Sequence, residues 1–260
     1  MTLIASICCK DGVLIAADSK GTEASTGNVL IDQSFQTQKL FPLGQWIIWG
    51  SAGSGGVSQR AQVALDADYA ANAAPYAQRP SVEDRIRLVA AAVIRQEFAA
   101  LTLPLNLALQ MKIPPHGQAF LIAGMDNGIP WVTEILWDGQ MTHYANQGFH
   151  AIGSGGLAAL TTYQLLQHHG AKDAPLELAR VLLYRIVDTC IKSSSGGLGP
   201  PIQMWEITNG GARQIPSNEL RAITDTVGIW ETKEQQCLRE VSTTTDNGLD
   251  EGNEPRETGD

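Results

Sequence analysis

The chain has 260 residues, of which 43% are hydrophobic and 17% are charged, so a single domain of this length can bury a sizeable core. The formal net charge of −9 argues against nucleic-acid binding, because that affinity comes from clustered Lys and Arg side chains that neutralise phosphates. Residues 239–260 hold seven acidic residues and two arginines, which leaves −4 for residues 1–238. The exclusion of nucleic acid therefore rests on the lack of a basic patch or recognition motif.

Targeting and metal-binding patterns are missing from the sequence. The first residues lack the basic and apolar regions of a signal peptide, and no run approaches the roughly 18 apolar residues of a membrane span. The four cysteines form no CxxC pattern, and the five histidines show no HExxH spacing. We expect a cytoplasmic protein with no membrane partner, no metal and no cofactor.

The N-terminal part of the chain predicts two β-hairpins. Apolar runs at 3–9 and 13–17 flank an Asp-Gly pair, which is a strong hairpin signal. After a polar loop at 21–36, a second pair of strands is predicted at 39–43 and 46–50.

Pairs of helices alternate with the later strands. Helices are predicted at 58–74, 81–100, 157–168 and 176–191, and strands at 119–124, 129–137, 144–152 and 201–208. The pair Asn127-Gly128 predicts a third hairpin turn. Antiparallel hairpins followed by paired helices favour an α+β fold of two antiparallel sheets packed together and covered outside by helices.

The C-terminal part has a different composition. A last helix is predicted at 217–238 and is peripheral to the domain, and the polar, acidic residues 239–260 indicate a disordered tail. The predicted organisation is therefore one domain over residues 1–238.

Three glycine-rich turns occur at 50–56, 153–156 and 193–197. The first two lie between a predicted strand and a predicted helix, where backbone N–H groups can bind an anion or an oxyanion. Because no GxxxxGK[ST] motif is present, an anion- or nucleotide-binding module is a weak alternative, and tight turns that need glycine explain each segment by itself.

Thr2 is a candidate nucleophile. If Met1 is removed, which the small second residue permits, the Thr2 hydroxyl lies beside its own α-amine. An α-amine has a pKa of about 7.7–8.0 in peptides and can accept a proton near neutral pH.

Two charged residues support this hypothesis. Asp18 ends an otherwise apolar strand, where a carboxylate is costly to bury unless it is paired, and Lys39 begins a later strand. They are either surface charges or an ion pair near Thr2. In the second case the cation lowers the proton affinity of the hydroxyl and keeps the amine neutral.

Four features of the sequence together resemble a bacterial-type proteasome β-type subunit of the N-terminal nucleophile hydrolase superfamily. They are Thr2, the segment from Lys10 to Ser19, the run Lys39-Leu-Phe-Pro-Leu and the turn Gly50-Ser-Ala-Gly53. The spacing from Thr2 to Asp18 agrees with that family without a gap. The likeness runs in order to about residue 208.

The resemblance implies a four-layer αββα sandwich and peptide-bond hydrolysis. Thr2 is then the nucleophile and general base, Lys39 tunes its hydroxyl, and Asp18 orients Lys39. The backbone N–H of Gly53 donates to the oxyanion. Ser154 and Ser195 hold the amine in a hydrogen-bond network.

Lys192 departs from the family pattern, which has an aspartate three residues before the serine that Ser195 matches. Its spacing from Asp188 suits a surface ion pair. A catalytically silent subunit with a structural or assembly role is therefore the alternative to an active hydrolase. For either, the resemblance implies a homo-oligomer, and an unfoldase is a candidate partner beside the peptide or amide substrate.

Overall fold

A computed structural model describes residues 1–22, 34–100, 117–167, 170, 174–194 and 197–249. The chain divides into a first unit, Met1–Pro216, and a second unit that begins at Ser217. The first unit contains two five-stranded antiparallel sheets, a two-stranded ribbon and four α-helices among its described residues. No helix among the described residues is long and apolar enough to cross a membrane.

The first sheet has the strand order β10-β1-β2-β11-β12. Its strands are β1 (Ile4–Cys9), β2 (Gly12–Ala17), β10 (Phe149–Ile152), β11 (Gln203–Thr208) and β12 (Gly211–Gln214). β1 is hydrogen-bonded on both sides, with Ile4 opposite Ile152 on β10 and Ala17 on β2. The residue two positions before β1 is Thr2, so this interior strand positions the N-terminus.

The second sheet has the strand order β5-β6-β7-β8-β9. Its strands are β5 (Leu40–Pro42), β6 (Ile47–Ala52), β7 (Ala119–Asp126), β8 (Ile129–Leu136) and β9 (Met141–His143). The ribbon pairs β3 (Lys20–Thr22) with β4 (Ser34–Gln36). Lys39 directly precedes β5 and Gly53 directly follows β6, and this sheet therefore supplies two of the predicted site residues.

Alternation along the strands explains the layers, because successive side chains of a strand point to opposite faces. Ile48 and Leu121 pack with residues of the first sheet in the cluster between the sheets. Their neighbours Trp49 and Phe120 pack in the outer cluster with α1 and α2. Both faces of the sheets are covered, which is why β1 and β2 are buried at every position.

The helices cover the outer faces. The helices of the first unit are α1 (Gly55–Ala71), α2 (Arg79–Ala100), α3 (Gly156–Leu166) and α4 (Leu176–Ser193). α1 and α2 pack on the second sheet. α3 and α4 pack on the first sheet, where the ring of Tyr163 stacks on Phe149 with centroids 4.3 Å apart. The four-layer αββα sandwich predicted from the sequence is confirmed.

All three hairpins form as predicted, and the Asn127-Gly128 turn has the two positive φ angles, 51° and 79°, that this type of turn requires. The strand predicted at 144–152 is wrong over its first half, where a 3₁₀ turn spans Ala145–Gln147 and only Phe149–Ile152 is a strand. Gly148, with φ 75°, ends that turn. The segment 21–36 is predicted as a polar loop, but its two ends belong to β3 and β4, which pair with each other.

The second unit is described as one helix, α5 (Ser217–Leu249). The helix continues beyond residue 238, where the sequence predicted its end, as far as Leu249. Once a helix is nucleated, each further residue adds one backbone hydrogen bond, and Gln236 Nε2 donates to Glu240 Oε1 at 3.0 Å across the predicted boundary. Residues 250–260 lie outside the described residues.

Candidate active site

Asp18 and Lys39 form a buried ion pair. Lys39 Nζ lies 2.7 Å from Asp18 Oδ1, and the exposed fractions of the two side chains are 7% and 0%. β2 ends beside Asp18, and the backbone before β5 brings Lys39 from the second sheet to the same point. Of the two interpretations left open by the sequence, surface charges and an ion pair, the structure has the ion pair.

The Asp18 carboxylate is fully satisfied by donors. Oδ1 also accepts from the backbone N–H of Leu3 at 2.9 Å, and Oδ2 accepts from those of Lys20 at 3.1 Å and Gly199 at 3.3 Å. These donors compensate the buried carboxylate for the loss of hydrogen bonds to water. Burial lowers the pKa of the Lys39 ammonium, and the Asp18 carboxylate opposes that effect.

The peptide between Met1 and Thr2 lies against this pair. Lys39 Nζ donates to the carbonyl oxygen of Met1 at 3.3 Å, and the backbone N–H of Thr2 donates to Ser154 Oγ at 3.2 Å. Burial, and next the charge of Lys39, lowers the pKa of the Met1 α-amino group. The carbonyl oxygen and the nitrogen of this peptide bond are thus each hydrogen-bonded to a predicted site residue.

The turn from β10 to α3 places Ser154. Gly153 has φ 89°, and a Cβ atom at this position would lie 2.2 Å from the carbonyl oxygen of Thr2. Only glycine allows the two segments to approach so closely. The close approach brings Ser154 within hydrogen-bond distance of the Thr2 nitrogen.

Gly53 lies in the turn between β6 and α1. Its φ of +129° is a conformation that residues with a side chain rarely adopt, and a Cβ atom here would lie 2.3 Å from Gln118 Oε1. The same Gln118 oxygen accepts from the backbone N–H of Ser54 at 2.9 Å. Gln118 therefore fixes the backbone directly after Gly53.

Replacing Gly53 by alanine should lower the free energy of unfolding by about 2 kcal/mol or more, because the new methyl group meets a buried side chain at a strained φ. Urea unfolding of Gly53→Ala measures this loss. Gly55→Ala is the matched control, since no atom lies within 4 Å of its Cβ position and α1 begins there. Equal stabilities of the two variants would contradict the proposed constraint.

Thr2, Lys39 and Gly53 line one cavity of about 150 Å³. The other described lining residues are Met1, Lys20, Gly21, Phe35, Thr37, Gln38, Phe41, Ser51, Gly55, Ser58 and Gln59. The candidate nucleophile, the cation and the candidate oxyanion donor therefore face one space open to a ligand.

The third glycine-rich turn is only partly described. Ser195 lies outside the described residues, so its position is not part of the site geometry. Before it in the chain, Lys192 Nζ pairs with Asp188 at 2.7 Å. Ser194 Oγ accepts from the N–H groups of Gly197 and Leu198, both at 3.2 Å. The Lys192 side chain is 57% exposed, and the surface ion pair predicted from its spacing is confirmed.

Sequence reasoning missed Gln118 and Gln203. Gln203 Oε1 accepts from the backbone N–H of Lys39 at 3.0 Å, and its Nε2 donates to Ser19 Oγ at 2.8 Å and to the Thr37 carbonyl at 2.6 Å. One side chain of β11 thereby ties the segment before Lys39 to the end of β2. A polar residue at a strand terminus is the only trace of this role in the sequence.

No group of three or more potential metal ligands occurs among the described residues. The groups that the structure brings together beside Thr2 are the Lys39 ammonium, the Asp18 carboxylate and the Ser154 hydroxyl.

Comparison with known proteins finds the same fold in two structures of Anbu from Hyphomicrobium sp. strain MC1. A mutant of that protein is 18% identical with a TM-score of 0.65, and the match covers 93% of this chain and 100% of that chain. The other structure is 17% identical with a TM-score of 0.63, covering 91% of this chain and 97% of that one. No family model and no curated protein matches. The likeness establishes the proteasome-like fold.

Proposed function

We propose that the chain is a proteasome-like N-terminal threonine hydrolase that cleaves peptide or amide bonds once Met1 has been removed. The observation that carries this proposal is the Lys39 ammonium, which bonds the carbonyl preceding Thr2 and the buried Asp18 carboxylate at once. A cation fixed beside Thr2 favours the ionised form of its hydroxyl and the neutral form of its amine.

In the proposed mechanism, the α-amine of Thr2 takes the proton of the Thr2 hydroxyl as Oγ1 attacks the substrate carbonyl carbon. The resulting oxyanion accepts a hydrogen bond from the Gly53 N–H. When the C–N bond breaks, the ammonium returns the proton to the leaving amine, and an ester remains on Oγ1. Water, deprotonated by the same amine, hydrolyses the ester and restores the threonine.

Three further residues support these steps. Asp18 holds Lys39 in place through the 2.7 Å contact. Ser154, 3.2 Å from the Thr2 nitrogen, orients the amine, and Ser195 belongs to the same network by the resemblance described above. We place the enzyme in the cytoplasm as a homo-oligomer, with an unfoldase as candidate partner.

A catalytically silent, proteasome-like subunit is the second candidate. Lys192 favours it, because the resemblance requires an aspartate at that position and the lysine side chain instead pairs with Asp188. A silent subunit keeps the fold and the buried ion pair but does not need a free amine on Thr2.

Intact-mass measurement followed by covalent labelling separates the two candidates. The hydrolase predicts a purified protein that lacks Met1 and reacts once with a peptide β-lactone, with the adduct mapped to Thr2. Retention of Met1 together with no adduct supports the silent subunit. An adduct that persists in Thr2→Ala contradicts the proposed nucleophile.

A further inference from the structure

Two serine hydroxyls face the cavity beside Thr2. Ser51 is on β6 and Ser58 is on the first turn of α1, and both line the cavity that Thr2, Lys39 and Gly53 share. Ser51 Oγ donates to Ser58 Oγ at 2.6 Å, and Ser58 Oγ donates to the backbone carbonyl of Ser54 at 3.0 Å. The two hydroxyls therefore form a chain of hydrogen bonds that ends at a backbone carbonyl.

This direction decides what the hydroxyls can offer a ligand. Each serine hydroxyl has one proton and two lone pairs. Both protons are used within the chain, and the groups left for a ligand are lone pairs. The Ser51-Ser58 pair can therefore accept a hydrogen bond from a ligand but cannot donate one without breaking a bond it already has.

The charges around the cavity limit which side chains of a ligand it can bind. The charged residues among the described lining are Lys20 and Lys39, and none of the described lining residues is acidic. A cationic side chain would meet two cations and no counter-charge. A carboxylate would be attracted by the lysines, but the Lys39 ammonium is already paired with Asp18, and the serines would present lone pairs and no free proton to the carboxylate. Phe41 lines the cavity as well and offers apolar contact to the stem of a side chain.

We infer that this cavity binds the side chain preceding the cleaved bond and selects an uncharged hydrogen-bond donor, the carboxamide of glutamine or asparagine. The inference rests on the proposed hydrolase for the position of the cleaved bond. The amide N–H group donates to the Ser51-Ser58 pair, and the methylene groups contact Phe41. A leucine in the same place leaves the buried lone pairs without a partner, which costs binding free energy.

Hydrolysis of a fluorogenic peptide series tests the selection. With acetylated tripeptide coumarylamides that differ only in the last residue, kcat/KM for glutamine should exceed that for leucine, glutamate and lysine by about tenfold, the value of one neutral hydrogen bond. Ser51→Ala should abolish the preference for glutamine over leucine. Ser54→Ala is the matched control and should leave it unchanged, since the Ser54 carbonyl remains and its side chain makes no capping bond.

A binding measurement tests the selection of the side chain independently of the proposed hydrolysis. Calorimetry with Thr2→Ala and the corresponding tripeptide primary amides should give a Kd about tenfold lower for glutamine than for leucine. If no peptide is hydrolysed but this preference in binding is present, the selection stands and the hydrolase proposal fails. If hydrolysis occurs with leucine, glutamate or lysine preferred, the hydrolase stands and the selection is overturned. Equal binding of all four amides also overturns it.

Discussion

Thr2→Ala should lower the rate of peptide-amide hydrolysis by at least about 10³-fold, because the loss of a nucleophile removes the covalent route and leaves only binding and oxyanion stabilisation. The measurement is kcat with a coumarylamide substrate. Thr2→Ser is the matched control, since it keeps a hydroxyl beside its own α-amine and should retain most of the activity.

Stability distinguishes loss of chemistry from loss of fold in this experiment. Thr2 precedes β1 and is half-buried, so all three proteins should unfold at nearly the same urea concentration. Hydrolysis by Thr2→Ala at the unsubstituted rate, from a folded protein free of contaminating protease, would contradict Thr2 as nucleophile.

Asp18→Ala should lower the free energy of unfolding by about 3–5 kcal/mol, the usual cost of removing one partner of a buried ion pair. The substitution leaves the Lys39 ammonium buried without its carboxylate, and it removes the acceptor of the N–H groups of Leu3, Lys20 and Gly199. Urea unfolding at neutral pH measures the loss.

Lys39→Met is the matched control for Asp18→Ala. Methionine keeps an unbranched apolar stem, and the remaining Asp18 carboxylate keeps its three backbone donors, so the loss of stability should be smaller. Hydrolysis should nevertheless fall by about 10²-fold, because the cation beside Thr2 is gone. A stability loss in Lys39→Met equal to that in Asp18→Ala would contradict the role given to the backbone donors.

The free energy of unfolding of Asp18→Ala should change with pH in a defined direction. Without Asp18, burial lowers the pKa of Lys39 with no carboxylate to oppose it. Between that lowered pKa and the ordinary value, the unfolded chain binds more protons than the folded one, and the stability of the folded state therefore rises with pH. The deficit of Asp18→Ala should accordingly shrink as the pH is raised toward the ordinary lysine pKa.

Local signals explain why much of the fold could be predicted from the sequence. The Asp-Gly and Asn-Gly hairpins and the strand-to-helix glycines depend on backbone conformations that a few adjacent residues determine. The ion pair of Asp18 and Lys39 was open to prediction because a carboxylate at the end of an apolar strand needs a partner.

The remaining parts of the site depend on contacts between residues distant in the sequence. Gln118 contacts the backbone after Gly53 across 64 positions, and Gln203 reaches Lys39 across 164. Neither contact has a local signature, because a single glutamine at a strand terminus is equally compatible with a solvated side chain. The length of α5 was missed for a related reason, since composition alone does not register the propagation of a helix already begun.

The interior position of β1 in its sheet has a consequence for the rate of the proposed reaction. A residue near a chain terminus ordinarily frays, and a nucleophile placed there would have to be ordered at each turnover. Here the strand that follows Thr2 is hydrogen-bonded on both sides, and Asp18 binds the N–H of Leu3, the residue next to Thr2. Thr2 is therefore ordered during folding, and the entropic cost of ordering it does not add to the activation free energy of each turnover.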